Sequence, residues 1–276
     1  MQETAKQYLV RFARRAGFLA LAENLKGKAI AAKNRRLNDR FRHEHPEVPL
    51  PPERLMHDPY CTVNYSAYFE TGKWAARALA AIIREQVPCD GRKEAVKVLE
   101  WGCGFARILR HLHTFQPPCG FDLYGTDYNT ETIGWCKFSL PQIDFRINGL
   151  NPPLAYEDNF FDFAYCVSVF THLSEPLHHA WMAELLRVIR PGGFFLLTLH
   201  GDHFRKKLLP DELKRYDAGE IVVRGGVVEG SRMFAAFHGE RFIREQLLKD
   251  AEIVRHDLSN NSIGPPQDMW IVRKRA

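Results

Sequence analysis

The most constraining stretch of this chain is Val-Lys-Val-Leu-Glu-Trp-Gly-Cys-Gly-Phe-Ala-Arg-Ile-Leu over residues 96–109. An apolar, β-branched run ends in the acid Glu100. Gly102, Gly104 and the small Ala106 follow, and then Ile108, Leu109 and Leu112 at helical spacing. Strand, small-residue turn and helix start together make a nucleotide-type site. Glycines admit a close ligand approach, and a helix N-terminus directs N–H groups at it. Such a turn alone also serves as a plain strand–helix connection.

The next segment narrows the choice. A second strand-like run, Phe121 to Thr126, ends in Asp127 about 25 residues after the glycines, where a nucleoside site uses an acid to accept hydrogen bonds from ribose hydroxyls. Two ligands satisfy this pattern, a nicotinamide cofactor and S-adenosylmethionine. Further along lie a short strand at 143–147 with Asn148-Gly149, a polar turn over 156–162, an apolar run over 163–170 closed by Thr171-His172-Leu173, a helical segment, and a strand at 194–199.

With these in order, the chain resembles the class I S-adenosylmethionine-dependent methyltransferases. The matching motifs are Leu99-Glu-Trp-Gly-Cys-Gly, Tyr124-Gly-Thr-Asp127, Asn159-Phe-Phe-Asp162, Val169-Phe-Thr-His-Leu173 and Leu186-Arg-Val-Ile-Arg-Pro-Gly-Gly193, spread over roughly residues 75–200. Ala106 stands where the family often has a third glycine, an exchange that dinucleotide fingerprints tolerate. The resemblance implies a doubly wound α/β fold with a mostly parallel seven-stranded sheet and an antiparallel C-terminal hairpin. It implies S-adenosylmethionine as cofactor and methyl transfer to a small-molecule or glycan acceptor, a hydroxyl above all. The glycan reading is an association with bacterial glycan-assembly enzymes, carried by Val169–Leu173, Thr198–Gly201 and the proline-rich segment. A non-catalytic S-adenosylmethionine-binding regulator or scaffold, and a nicotinamide-dependent oxidoreductase, are the alternatives.

The family positions assign roles residue by residue. Glu100 meets the cofactor's amino-acid end, the alternative being a strand-end acid that caps the turn. Gly102, Cys103 and Gly104 give close backbone approach, Asp127 holds the ribose, and Tyr128 lies against the adenine. Asn148 and Gly149 contact the adenine edge, where the family more often has an aspartate. Ser168 lines the methionine part or the substrate mouth, and Phe170 either joins it or belongs to the core. His172 and His200 lie past strand carboxyl ends, where open α/β sheets bind ligands, and are the general-base candidates. The alternative for each is a loop-ordering hydrogen bond. The histidine pairs 43/45, 111/113 and 178/179 lack acid or cysteine partners at ligand spacing, so no metal is expected.

Charge and cysteines set outer bounds. The chain of 276 residues is long enough for a large core, and no apolar run approaches a bilayer span. The mixed-charge start carries no secretory signal, and six cysteines without a Cys-x-x-Cys pair are expected to be reduced thiols in a cytoplasmic protein, peripheral to a membrane at most. Residues 1–45 hold eleven basic residues and four acids, a local +7 against a chain total of +5. With Leu9, Phe12, Ala13, Ala16, Leu19 and Ala20 at helical spacing, this reads as a basic helical arm. It either packs on the domain or contacts an anionic surface such as a membrane; nucleic acid is the weakest partner, because few aromatics are present to stack bases. The arm and a proline-rich extended linker make residues 1–75, and the methyltransferase-like domain makes residues 76–276. Within that domain a helix over 71–86 packs Trp74, Ala75, Ala78, Leu79, Ile82 and Ile83 on the sheet. An insertion at about 202–232 contains a hairpin of 221–223 with 227–228 around Arg224-Gly-Gly226.

Overall fold

The computed structural model describes residues 18–60 and 62–276. Five parallel strands, β1 (Val96–Trp101), β2 (Phe121–Asp127), β3 (Asp144–Ile147), β4 (Phe161–Cys166) and β5 (Ile189–Leu199), form the sheet with the antiparallel pair β8 (Ala251–Asn260) and β9 (Gln267–Lys274), in the order β3-β2-β1-β4-β5-β9-β8. Chain direction reverses on leaving β1: β2 pairs on one side of it and β4 on the other. Such a switch opens a crevice beyond the carboxyl ends of the strands, where Trp101, Asp127 and Cys166 end.

Burial on both faces explains why the strands read as unbroken apolar runs. Successive side chains alternate between layers. Val98, Phe163 and Tyr165 pack under Leu79 and Ile83 of helix α3 (Tyr65–Gln86), whereas Leu99, Ala164 and Phe195 pack under Trp181 and Leu185 of helix α6 (Glu175–Val188). The other helices include α1 (Phe18–Glu44), α2 (Glu53–Tyr60), α4 (Leu109–Leu112), α5 (Thr130–Ser139) and α7 (Pro210–Asp217), and a short helical segment runs from Glu240 to Leu247.

Several expectations are corrected. Residues 53–60 are helical, not extended: Pro51 and Pro52 precede the helix, where their missing N–H groups cost nothing, and Met56 is fully buried. Helix α3 starts at Tyr65 rather than 71, because Asn64 caps it by accepting from Ala67 N at 2.9 Å. Trp74 on that helix is 54 % exposed and does not reach the sheet. The hairpin partner of β6 (Val222–Arg224) is β7 (Ala235–Phe237), not residues 227–228, and Val228 is exposed. Cys89 and Cys119 form a disulfide, with Cα atoms 5.8 Å apart, whereas Cys103, Cys136 and Cys166 are buried free thiols. Cys89 follows α3 and Cys119 precedes β2, so the fold makes a pair that sequence spacing does not show. The stripe at Leu9, Phe12, Ala13 and Ala16, and Cys61, lie outside the described residues.

The end of the arm is docked. Asn38, fully buried, donates to Glu53 Oε1 at 3.1 Å and to Val63 O at 3.2 Å, and accepts from Tyr65 N at 3.0 Å. Phe41, Met56, Tyr65 and Tyr68 then close an apolar cluster on Phe105, inside the glycine turn.

Candidate active site at the carboxyl edge of the sheet

The glycine turn is held from two sides. Gly102 N and Cys103 N both donate to Thr126 O, at 2.8 and 2.9 Å, which locks the turn to the end of β2. Gly102 has φ +73°, and a Cβ there would stand 2.4 Å from Val169 Cγ2, so glycine is required on both counts. Gly104 N donates to Asp127 Oδ2 at 2.9 Å, and Asn129 N donates to Oδ1 at 2.9 Å. Asp127 thus fastens the glycine turn to the end of β2. Helix α4 has only four residues, so backbone approach, not a long helix dipole, is what the turn offers.

Glu100, one residue before the end of β1, lies between Gly125 and Tyr165 of the flanking strands. It is 5 % exposed, and its Oε2 has no hydrogen-bond partner among the described residues. Burial pushes its carboxyl up to about 8, against the lowering pull of the neighbouring Tyr165 hydroxyl and Arg107, so at neutral pH it holds a proton. Asn148 repeats the pattern on β3. Its Nδ2 donates to Gly149 O at 2.7 Å, while its buried Oδ1 lacks a partner among the described residues. A buried carboxyl oxygen and a buried amide oxygen without partners are expensive in a site that binds nothing. An amine beside Glu100 and an amide-like N–H beside Asn148 satisfy both. Tyr128 is 43 % exposed beside Asp127, with its hydroxyl donating to Gly230 O at 3.4 Å.

Ser168 is tied more tightly than its sequence suggests. It adopts φ +63°; its N donates to Thr198 Oγ1 at 2.9 Å and its Oγ donates to Gln267 Oε1 at 2.8 Å. Thr198 also donates to Gln267 Oε1, at 2.7 Å. Two hydroxyls therefore fix the Gln267 amide with its Nε2 as the remaining donor. Phe170 is fully buried against Trp101 and Phe195, and so belongs to the core.

His172 and His200 are oriented alike. His172 Nδ1 lies 2.8 Å from Phe234 O, and His200 Nδ1 lies 3.0 Å from Ala236 O. A carbonyl only accepts, so each neutral ring carries its proton on Nδ1 and its lone pair on Nε2. Burial pushes His200 down to about 4, with its ring packed on Phe204 at 4.1 Å. It is neutral throughout the physiological range and a weak base. Behind them His178 and His238, both fully buried, share a 2.8 Å Nε2–Nε2 hydrogen bond.

Two residues escaped the sequence reading. The Tyr60 hydroxyl, at the end of α2, accepts from Phe105 N at 2.8 Å and covers Gly104. Arg107 extends from the glycine turn to Thr71 Oγ1 at 3.2 Å and Ile263 O at 3.3 Å. Its place directly after Ala106 was the available signal. A surface depression of about 600 Å³ around Leu248, Ala251 and Ile253 lies at the opposite edge of the sheet.

Residues 99–197 match the profile of the family described as "Methyltransferase domain". The chain is 26 % identical over 174 residues to "Sterol 24-C-methyltransferase erg6" of Schizosaccharomyces pombe, covering 60 % of this chain and 44 % of that protein. It is 33 % identical over 108 residues to "Fatty-acid O-methyltransferase" of Mycolicibacterium smegmatis, covering 38 % of this chain and 37 % of that protein. The chain thus spans less than half the length of these curated relatives. Among solved structures, a methyltransferase from Methanosarcina mazei aligns with a TM-score of 0.51 at 20 % identity, over 70 % of this chain and 97 % of that one. Magnesium protoporphyrin IX methyltransferase from Synechocystis, solved with S-adenosylhomocysteine, aligns with a TM-score of 0.52 at 18 % identity, over 87 % of this chain and 99 % of that one. Sheet order, glycine turn and strand-end acids give the chain the Rossmann-like methyltransferase fold, and over residues 99–197 it is similar to the methyltransferase-domain family.

Proposed function

We propose that this protein transfers a methyl group from S-adenosylmethionine to an oxygen atom of a small-molecule, lipid or glycan acceptor. The observation that carries the cofactor reading is the pair of buried oxygens without partners among the described residues, Glu100 Oε2 and Asn148 Oδ1. When bound, the cofactor supplies an electrophilic methyl carbon on a sulfonium with a neutral leaving group. Glu100 receives the amine of the methionine part and ionises as it does so. Asp127 accepts from the ribose hydroxyls, Asn148 Oδ1 accepts from the adenine amine, and Tyr128 lies against the base. Gly102, Cys103 and Gly104 let the backbone approach closely. No covalent intermediate on the protein is required, and proximity and alignment supply most of the rate.

His172 and His200 present Nε2 to the acceptor side, where either takes a hydroxyl proton as the oxygen becomes methylated. Burial makes His200 hard to protonate. Two curated relatives bear on the acceptor by their names: both extend the candidates from glycans to lipids, the fatty-acid O-methyltransferase with an oxygen acceptor and the sterol 24-C-methyltransferase with a carbon one.

Calorimetric titration with S-adenosylhomocysteine and, separately, NADH tests the cofactor; tight NADH binding without the homocysteine nucleoside overturns it. Transfer of labelled methyl into panels of sugars, sterols and fatty acids tests the acceptor. Cofactor binding with no transfer into any extract fraction favours a non-catalytic binding protein.

A further inference from the structure

Helix α1 buries one stripe, Gly27, Asn38 and Phe41, with Ile30, Ala31 and Asn34 half-buried between them. The opposite ridge is Leu25, Ala29, Ala32 and Arg36, spaced i, i+4, i+7 and i+11, and all four are exposed. Leu25 is 59 % exposed. Lys28 and Arg35 flank this ridge on one side and Lys33 and Arg40 on the other, and all are exposed. Several exposed arginines elsewhere sit on acids, Arg205 on Asp217, Arg215 on Glu220, Arg244 on Glu240 and Arg273 on Glu252, whereas scattered lysines such as Lys73, Lys137 and Lys206 do not, among the described residues. Lys28, Lys33, Arg35 and Arg36 make no ion pair among the described residues. Only Arg40 on this face does, with Glu44.

From this face we propose that α1 docks on an anionic membrane surface, with the Leu25–Ala29–Ala32 ridge at the headgroup level and the four cations around it on lipid phosphates. A bare apolar ridge between two rows of cations is the pattern of a helix lying in a membrane interface. Lysine and arginine stems lie along the apolar boundary while their charged ends reach the headgroups. The face carries no aromatic side chain on which a base would stack, which sets a membrane above RNA. This inference does not rest on methyl transfer, although an acceptor dissolved in the bilayer would give the docking a purpose.

The test is flotation of the full chain with vesicles of phosphatidylcholine alone and of phosphatidylcholine with one third phosphatidylglycerol. Binding is expected only to the anionic vesicles, weakening as salt is raised. The charge-reversed variant K28E/K33E/R35E/R36E should bind them at least about a hundredfold more weakly, since each cation near such a surface contributes separately. Leu25→Ser should weaken binding without changing its salt dependence. Both variants change exposed side chains, so far-ultraviolet circular dichroism and S-adenosylhomocysteine affinity should match the parent. Equal binding to both vesicle types, no binding to either, anionic binding unaltered by the four reversals, or tighter capture by polyuridylate RNA than by vesicles would each overturn the proposal.

Discussion

Replacing Glu100 by glutamine should make this protein more stable and a poorer cofactor binder at once. The carboxyl is pushed from its ordinary value of 4.5 up to about 8 by burial. An unfolded chain releases that proton above pH 4.5, whereas the folded one keeps it until about pH 8. The unfolded state binds fewer protons across this window, so the group's contribution to stability falls as pH rises through it. Each pH unit costs about 1.4 kcal/mol, or about 3 kcal/mol by pH 7. Glutamine has the same shape without the ionisation. Its amide left unpaired costs about 1 kcal/mol, so a net gain of about 2 kcal/mol is expected at pH 7. Urea unfolding of both proteins from pH 4 to 8 measures it: E100Q should be about 1 kcal/mol less stable below pH 4.5, cross the parent at about pH 5 and gain on it above. S-adenosylhomocysteine should bind E100Q more weakly, and its binding to the parent at pH 7 should release close to one proton, read by calorimetry in buffers of different ionisation enthalpy. If E100Q is less stable at pH 7, or the two stabilities keep a constant gap with pH, the carboxyl is not held neutral in the folded state and the argument for its role fails.

Three further outcomes follow from the geometry. Gly102→Ala should cost about 2–4 kcal/mol, because it combines a left-handed backbone with the 2.4 Å approach to Val169; pairing it with Val169→Ala should recover part of that loss in thermal melts. Reducing the Cys89–Cys119 disulfide, or Cys89→Ser, should lower stability by about 3 kcal/mol for a 30-residue separation, measured by urea unfolding with and without reductant. Stability should also collapse on the acid side: burial lowers His178 and His200 to about 4, His111 to about 3 and His238 well below its ordinary value, so below pH 6.5 the unfolded chain takes up protons that these rings refuse. A pH-resolved melt should show His178→Gln flattening that slope.

The sheet and its glycine turn were readable because their signals are local. The left-handed backbone of Gly102 belongs to one turn, although the Val169 contact that also requires glycine does not, and Asp127 falls at the end of the next strand by simple chain length. What was not readable depends on residues distant in sequence. Trp74 has helical spacing but projects beyond the face that α3 turns to the sheet. Gln267 meets Ser168 and Thr198 only because β9 runs antiparallel beside β5. The prolines at 46–52 signalled an extended linker, yet Pro51 and Pro52 introduce a helix whose last residue, Tyr60, covers the cofactor turn. The hairpin was misplaced because Arg224-Gly-Gly226 has the composition of a tight turn, whereas a ten-residue loop separates β6 from its partner.

That loop and β7 connect the two halves of the site. Gly230 N donates to His172 O, Tyr128 donates to Gly230 O, and Ser174 N donates to Glu229. The insertion thus lies across both the expected adenine side and the expected base. The carbonyls of Phe234 and Ala236, two residues apart, hold the rings of His172 and His200. Two histidines from different strand ends therefore take their orientation from one short strand, and a shift of β7 moves both. The matched methyltransferase profile ends at residue 197, just before His200 and the insertion begin. On the proposed function, the cofactor half of the site falls within the matched residues, and the acceptor half is to be sought in residues 200–238. Changes of acceptor within such a fold should be sought in the insertion's backbone, since it can re-aim two bases without altering a strand of the sheet.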